Sequence, residues 1–216
     1  MSSPTLPPTG RRRSGTRKGD TRELTILDTA ERLIDERGFE AVTVEAIATG
    51  AGISRGSLYF YFGSKQEVLV ALIARTLAAI PASPSHATDN PDVSVSTVVR
   101  AALLDTETSW REHGRIMQAA VEIGCTVPEA QQLWRETLES IAPHFSRLLI
   151  RAGIPDDPGP TGASALARSL TFMTERSYYW SYACSGTEKL REVTDTLERI
   201  WLSVMPQDDP SSAPRP

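Results

Sequence analysis

Residues 43–65 read TVEAIATGAGISRGSLYFYFGSK, and this stretch decides the fold. Thr43 and Ser54 are each placed to cap the free amides at the start of a short helix. Gly50 and Gly52 lie between the two helices, where glycine allows the chain to turn sharply. The stretch therefore predicts two short helices joined by a glycine-bearing turn, followed by an aromatic run.

The same region is free of acid within an acidic protein. From Ala46 to Gln66 the chain holds Arg55 and Lys65 and no Asp or Glu, whereas the whole chain of 216 residues has a formal net charge of -4. A surface kept free of negative charge favours a polyanionic partner such as nucleic acid.

The second helix has the chemistry of a recognition helix. In a helix-turn-helix, the N-terminal residues of the second helix meet base edges in the major groove, where small or polar side chains fit. The first turn here supplies such side chains, at Ser54, Arg55, Gly56 and Ser57.

The aromatic run cannot point inward along its whole length, because four adjacent residues surround a helix. The whole run could simply be core, and we prefer that interpretation for Phe60 and Phe62, which we expect to pack inward. Tyr59 and Tyr61 then form an outward pair whose hydroxyls reach phosphate oxygens. Lys65, at the start of the next helix, contacts the same DNA backbone.

Helical periodicity dominates the rest of the chain. Apolar residues recur at spacings of three and four, and no alternating run demands a strand, so the fold class is predicted as all-α. Pro143 is expected to kink or break the helix that contains it. Besides the short pair, helices are predicted over residues 23–37, 64–80, 95–112, 115–123, 128–152, 163–183 and 187–205.

The N-terminus carries most of the positive charge. Residues 1–22 hold six basic residues and one acidic residue, a balance of +5 that leaves -9 for the rest of the chain. One interpretation is a solvated, disordered tail. The other is a basic arm that lies on phosphates or enters a minor groove, with Arg11, Arg12 and Arg13 in contact with DNA.

Several other classes of protein are disfavoured. No apolar run approaches the roughly 18 residues of a membrane span, so a cytoplasmic location is expected. Cys125 and Cys184 lack the spacing of a zinc site or a disulfide framework, and we expect both to be buried. His86, His113 and His144 have no partners at recognisable spacing, so a small helical enzyme is only an alternative, and no metal or cofactor is predicted. A non-specific architectural DNA binder is the other alternative.

Residues 22–75 resemble the DNA-binding domain of the TetR family of bacterial transcriptional regulators, through the helix pair, the LYxYF-type ending and the following lysine. The segments RELTILDTAERL, AGISRGSLYFYF and GSKQEVL, with LTFMTER and LERIWLSV, are most similar to the ethionamide-regulator branch of that family. The resemblance implies a homodimer that binds a palindromic operator. It also implies that the protein is a repressor, released by a small ligand in the C-terminal domain.

The resemblance also implies a division into two domains. A three-helix helix-turn-helix DNA-binding domain is expected over residues 22–80, and a larger helical domain for ligand binding and dimerisation over 93–205. Three prolines in the sequence PASPSHATDNP mark the linker between them, over 81–92. A basic arm over 1–21 and a disordered tail over 206–216 complete the predicted organisation.

The resemblance implies a set of DNA-contacting residues. Gly56 is a departure, since many relatives carry a side chain there, often proline or alanine. The residues that match DNA-contacting positions are Thr43, Ser54, Arg55, Gly56, Ser57, Tyr59, Tyr61 and Lys65.

Aromatic bulk concentrates in the helices after the linker, which is material for an apolar cavity. For any one of these residues, the sequence alone favours ordinary helical core over a cavity wall. The resemblance implies that Trp134, Thr171, Thr174 and Trp201 line a ligand channel, in which the two threonine positions are typically amides that hydrogen-bond a ligand. The full set predicted for a small hydrophobic effector is Trp110, Trp134, Phe145, Thr171, Thr174, Tyr178 and Trp201.

The last two helices are expected to form the dimer surface, again by analogy with the family. Apolar residues recur at spacings of three and four along the last helix and form one apolar face, and a second apolar face lies on the helix before it. The residues of the two faces are Leu190, Val193, Leu197, Ile200 and Val204, with Leu166, Leu170 and Met173.

Overall fold

A computed structural model describes residues 18–79, 90 and 92–206. These residues form eight α-helices and no strand, which confirms the all-α prediction. The arm with Arg11, Arg12 and Arg13, most of the predicted linker and nearly all of the predicted tail lie outside the described residues. In chain order the helices are α1 (Lys18–Arg37), α2 (Val44–Gly50), α3 (Arg55–Tyr61), α4 (Lys65–Ala79), α5 (Val95–Ile123), α6 (Pro128–Arg151), α7 (Ala163–Ser185) and α8 (Leu190–Ser203).

The first four helices share one apolar core. The buried stripe of α1, with Ile26 and Ile34, packs against Ile47 of α2, Leu58 of α3 and Leu72 of α4. Each of these side chains is almost fully removed from water, which stabilises so small a bundle. The two short helices therefore sit on a platform formed by α1 and α4.

The last four helices form a second bundle around α5. Helix α6 packs along α7, while α5 contacts α6, α7 and α8. Helix α4 reaches both α5 and α6, and α1 also contacts α5. The long helices thus join the N-terminal platform to the C-terminal bundle through direct packing.

Helix α5 is continuous, whereas the sequence pattern predicts two helices over residues 95–112 and 115–123. Gly114 lies in the middle of α5 and is buried. A Cβ at Gly114 would stand 2.2 Å from the ring of Tyr182 on α7. The helix prediction was wrong here because the glycine serves close packing between helices rather than a break in the chain.

Two further differences lie at surface positions. Pro143 does not break α6, which runs on to Arg151, so that alternative of the prediction was wrong. Because Pro143 is exposed, water can reach the backbone carbonyl that loses its hydrogen bond there. Cys125 and Cys184 are exposed rather than buried, since one lies in the turn after α5 and the other in the last turn of α7.

The predicted dimer faces are partly used within the protomer. Leu190 and Leu197 of α8 and Leu170 of α7 are buried against the chain's own core. These three side chains are therefore not free to face a partner, and that part of the prediction was wrong. Ile200, which belongs to the predicted face, stays exposed, and Trp180 of α7, which is 59% exposed, is the other large apolar side chain that these two helices leave in solvent. None of the described helices combines the length and the apolarity needed to cross a bilayer.

Candidate DNA-binding surface and ligand cavity

Two side-chain caps hold the helix-turn-helix. Thr43 Oγ1 accepts a hydrogen bond from the amide of Ala46 at 3.1 Å, and Ser54 Oγ accepts one from the amide of Ser57 at 3.0 Å. Each cap satisfies an amide that has no partner within its own helix. Gly52 in the turn has a φ of 65°, a left-handed conformation that favours glycine.

The first turn of α3 faces solvent. Ser54, Arg55, Gly56 and Ser57 are exposed, while Leu58 is completely buried. The Arg55 guanidinium donates to the Tyr59 hydroxyl at 3.1 Å and lies over the Tyr59 ring, 5.5 Å from its centroid. This pairing orders a cationic side chain on the exposed face of the helix.

The aromatic run differs from its prediction at two positions. Phe62 is buried as expected, but Phe60 is 84% exposed, so the expectation that it packs in the core was wrong. Tyr61, which was expected to point outward with Tyr59, is instead partly buried against the core of the first bundle, and its ring meets that of Phe60 edge-on at 5.4 Å. Phe60 is exposed because Leu58 and Phe62, four residues apart, lie on the inner face of the helix, which places Phe60 on the opposite face.

Lys65 has an intramolecular role. Its ammonium group donates to the carbonyl of Phe39 at 3.1 Å and to that of Glu40 at 3.5 Å. It also lies 4.2 Å from the centroid of the Phe39 ring. Lys65 therefore links the start of α4 to the loop after α1 by hydrogen bonds, independently of any contact with a DNA phosphate.

A cavity of about 130 Å³ lies between α5, α6, α7 and α8, with Leu77 of α4 also on its lining. Eleven of its eighteen lining residues are apolar, five are Ser or Thr and two are acidic, so its surface suits a largely hydrophobic molecule. The lining comprises Leu77, Val99, Ala102, Leu103, Asp105, Thr106, Ser109, Trp110, Met117, Trp134, Thr137, Leu138, Ile141, Phe145, Thr171, Thr174, Glu175 and Trp201.

Six of the seven predicted cavity residues lie on this lining, namely Trp110, Trp134, Phe145, Thr171, Thr174 and Trp201. Tyr178 does not. It is fully buried, and its hydroxyl donates to the carbonyl of Leu103 at 3.0 Å and meets Thr194 Oγ1 at 2.7 Å. These two hydrogen bonds hold Tyr178 against α5 and α8, outside the cavity lining.

The network behind Tyr178 ends in a carboxylate. Thr194 Oγ1 donates to Glu107 Oε2 at 2.7 Å, and Arg111 donates to Glu107 Oε1 at 2.8 Å. Burial opposes ionisation of Glu107, but these hydrogen bonds prevail and lower its pKa. Burial raises the pKa of Tyr178 to about 12. The network thus holds a charged Glu107 and a neutral Tyr178 in the middle of the bundle.

The two cavity threonines are already engaged. Thr171 donates to the carbonyl of Ala167 at 2.8 Å, and Thr174 accepts a hydrogen bond from Trp201 Nε1 at 2.9 Å. These bonds fix the rotamer of Thr174 and the ring of Trp201. A ligand that used either threonine would compete with, or add to, a hydrogen bond that already exists.

Glu175 is a cavity residue that sequence reasoning missed. It is buried on the lining, and its Oε1 accepts a hydrogen bond from Trp134 Nε1 at 3.2 Å. Burial raises the pKa of Glu175, an effect that Arg176 and Trp134 only partly offset. The available signal was spacing, because Glu175 lies four residues after Thr171 and shares its helical face.

A capped helix-turn-helix joined to a helical bundle with an apolar cavity defines a DNA-binding transcriptional regulator with a ligand-binding domain. Comparison with known proteins agrees with this class. Residues 26–72 match the family described as bacterial regulatory proteins, tetR family, and residues 99–205 match the C-terminal domain of the transcriptional regulator EthR. The chain belongs to the TetR family, and within it the protein is an EthR-like transcriptional regulator.

Similar proteins span nearly the whole chain. The HTH-type transcriptional regulator EthR of Mycolicibacterium smegmatis is 31% identical over 207 residues, which cover 94% of each chain. EthR of Mycobacterium tuberculosis is 30% identical over 195 residues, covering 89% of this chain and 90% of its own. The fold also matches the regulator FadR of Bacillus subtilis in complex with stearoyl-CoA, with a TM-score of 0.63 and 17% identity over 85% of this chain and 99% of that one. The enzyme alternative is therefore rejected.

Proposed function

We propose that this protein is a cytoplasmic repressor that binds a palindromic operator as a homodimer and is released by a small hydrophobic effector. The observation that carries the proposal is the position of α4. Its early residues Leu69 and Leu72 are buried in the core of the DNA-binding domain, and Leu77, two turns later, lines the cavity. One rigid helix therefore connects the effector site to the platform that carries α3.

The proposed DNA contacts lie on the exposed side of the helix-turn-helix. Ser54, Arg55, Gly56 and Ser57 would meet base edges, with Thr43, Tyr59, Tyr61 and Lys65 on phosphates, and Arg11, Arg12 and Arg13 of the arm beside them. The exposed first turn of α3 and the ordered Arg55 support this assignment. In this assignment Arg55 is the side chain best suited to read guanine.

The proposed dimer joins α7 and α8 of two copies. Exposed Trp180 and Ile200 support it, because large apolar side chains on two adjacent helices gain from being covered. Two recognition helices must then meet successive major grooves, about 34–36 Å apart.

Release follows from the linkage between the two sites. A ligand in the cavity pushes on the same helix that positions α3, so it favours protomer shapes in which the two recognition helices no longer match the operator. A ligand that binds the shape unable to match the operator more tightly than the DNA-binding shape must lower the affinity for DNA. By linkage, the loss in DNA-binding free energy is set by the difference between the ligand's binding free energies for the two shapes. The FadR match shows that the same fold can be occupied by an acyl-chain compound.

Fluorescence anisotropy tests DNA binding. We expect the protein to bind labelled DNA from the region upstream of its own gene more tightly than a scrambled duplex at the same salt concentration. Arg55→Ala should flatten the preference at particular base pairs, by about 1–3 kcal/mol, whereas Tyr61→Phe should weaken binding to all sequences about equally. Equal affinity for both duplexes would instead indicate an architectural DNA binder.

A further inference from the structure

The cavity carries negative charge and no positive charge of its own. Among the described residues that line it, two are acidic, Asp105 and Glu175, and none is Lys, Arg or His. An anionic group placed inside would lose its hydration and meet a carboxylate, both of which cost free energy. The cavity is thus matched to a molecule with no negative charge at its buried end.

Glu175 is the polar group best placed to hold a ligand. Among the described residues, its carboxylate accepts one hydrogen bond, from Trp134 Nε1 at 3.2 Å, while an ionised carboxylate has about four acceptor positions. Arg176 is the neighbouring cation, but it is half exposed, and its Nε lies 3.5 Å from Glu175 Oε2. Acceptor capacity therefore remains on the carboxylate, on a buried wall of an apolar cavity.

The surrounding side chains suit a cation. Trp134 and Trp201 present large aromatic surfaces on the lining, and Phe145 packs on Trp201 with centroids 4.6 Å apart. Aromatic faces attract ammonium groups, more strongly where water is excluded. The threonines contribute less, since Thr174 already accepts a hydrogen bond from Trp201 and Thr171 donates its proton to the backbone.

We infer that the effector is an apolar molecule that carries a protonated amine, with the ammonium group on the Glu175 carboxylate and the hydrocarbon against the aromatic walls. The inference rests on the proposed function, because it names the chemical class of the molecule that would fill the regulatory cavity. It excludes a ligand whose buried end is a carboxylate or a phosphate. Exposed Asp105, on the same lining, adds to the attraction as the cation enters.

A matched series of probes tests the inference. Octylamine, octanol and octanoate have the same hydrocarbon chain and differ in the charge of the head group at pH 7. Each can be titrated against the full-length protein while tryptophan fluorescence is followed, since Trp110, Trp134 and Trp201 line the cavity. We expect octylamine to bind about tenfold more tightly than octanol, and octanoate to bind most weakly.

Glu175→Gln isolates the carboxylate. Glutamine keeps an oxygen that can accept from Trp134 but carries no charge, so octylamine should lose about tenfold in affinity while octanol changes by less than about twofold. Retained octanol binding also shows that the variant is folded. Glu188→Gln removes the same charge at an exposed position outside the lining and should leave all three affinities unchanged.

The outcomes separate the inference from the function on which it rests. Octanol binding without a preference for octylamine, or an octylamine preference that survives Glu175→Gln, overturns the inference and keeps the cavity as a ligand site. Binding of octylamine that depends on Glu175 but leaves operator affinity unchanged keeps the amine site and overturns its regulatory role. Absence of fluorescence change with all three probes overturns the inference, and operator binding then tests the remaining function alone.

Discussion

Tyr182 of α7 lies so close to Gly114 of α5 that a Cβ on Gly114 would stand 2.2 Å from the tyrosine ring. Real side chains do not approach so closely, so the two helices depend on a missing side chain at this point. Tyr182 also packs on Trp110, with ring centroids 5.6 Å apart, and Trp110 lines the cavity. The contact therefore sets the distance between two helices that form the ligand site.

Gly114→Ala should destabilise the protein by about 1–3 kcal/mol, because the Tyr182 ring must move out of a packed position. Urea unfolding followed by circular dichroism measures the loss. Gly56→Ala is the matched control, since a Cβ at Gly56 meets nothing nearer than Ser54 Oγ at 3.9 Å. It should stabilise the protein by up to about 1 kcal/mol through helix propensity. A loss of similar size in both variants would contradict the packing explanation.

Glu175→Gln should stabilise the protein near neutral pH by about 1 kcal/mol, since a buried carboxylate with a raised pKa is costly when ionised. The folded-state pKa lies above the unfolded value. The stability contributed by protonated Glu175 is therefore fully present below the unfolded pKa and is lost as pH rises through the folded pKa. The advantage of glutamine should vanish near pH 4, as measured by thermal unfolding at both pH values. A difference independent of pH would show that charge is not the cause.

Tyr178→Phe should cost about 1–2 kcal/mol at pH 7, because it removes a buried hydroxyl that bonds to Leu103 and Thr194. The pKa of Tyr178 is raised from 10.0 to about 12. Its contribution is fully present below the unfolded pKa and is lost as pH rises through the folded one, so the deficit of the phenylalanine variant should shrink in alkali.

Tyr178 does not line the cavity, so the same variant should keep the affinity of wild type for octanol within about twofold. Fluorescence titration checks this. A large change in ligand affinity would place the tyrosine in the binding site, as the sequence pattern predicts.

Lys65→Met should lower the stability of the protein by about 1 kcal/mol in the absence of DNA, because it removes the hydrogen bonds to the carbonyls of Phe39 and Glu40. Methionine keeps apolar contact with the Phe39 ring. If Lys65 also contacts phosphate, the salt dependence of DNA binding should fall by about one unit of slope. Unchanged stability without DNA would mean that the lysine acts on phosphate alone.

Local patterns were sufficient for much of the fold. The caps at Thr43 and Ser54 were predicted because the hydrogen bonds that define them join residues three apart in the chain. Six cavity residues were also predicted, through the family resemblance and their aromatic or hydroxyl character. Glu175 was missed because a charged side chain resembles a surface residue until its neighbours are known.

The sequence by itself determined the all-α class, the helix-turn-helix and an aromatic C-terminal bundle, since each depends on contacts within one or two helical turns. The tertiary structure decided what those elements face. Phe60 lies in water and Tyr178 outside the cavity, whereas Glu175 is buried inside it, because the orientation of each depends on the helices that pack around it. The charge of the cavity, and hence the kind of molecule it can hold, follows from that packing.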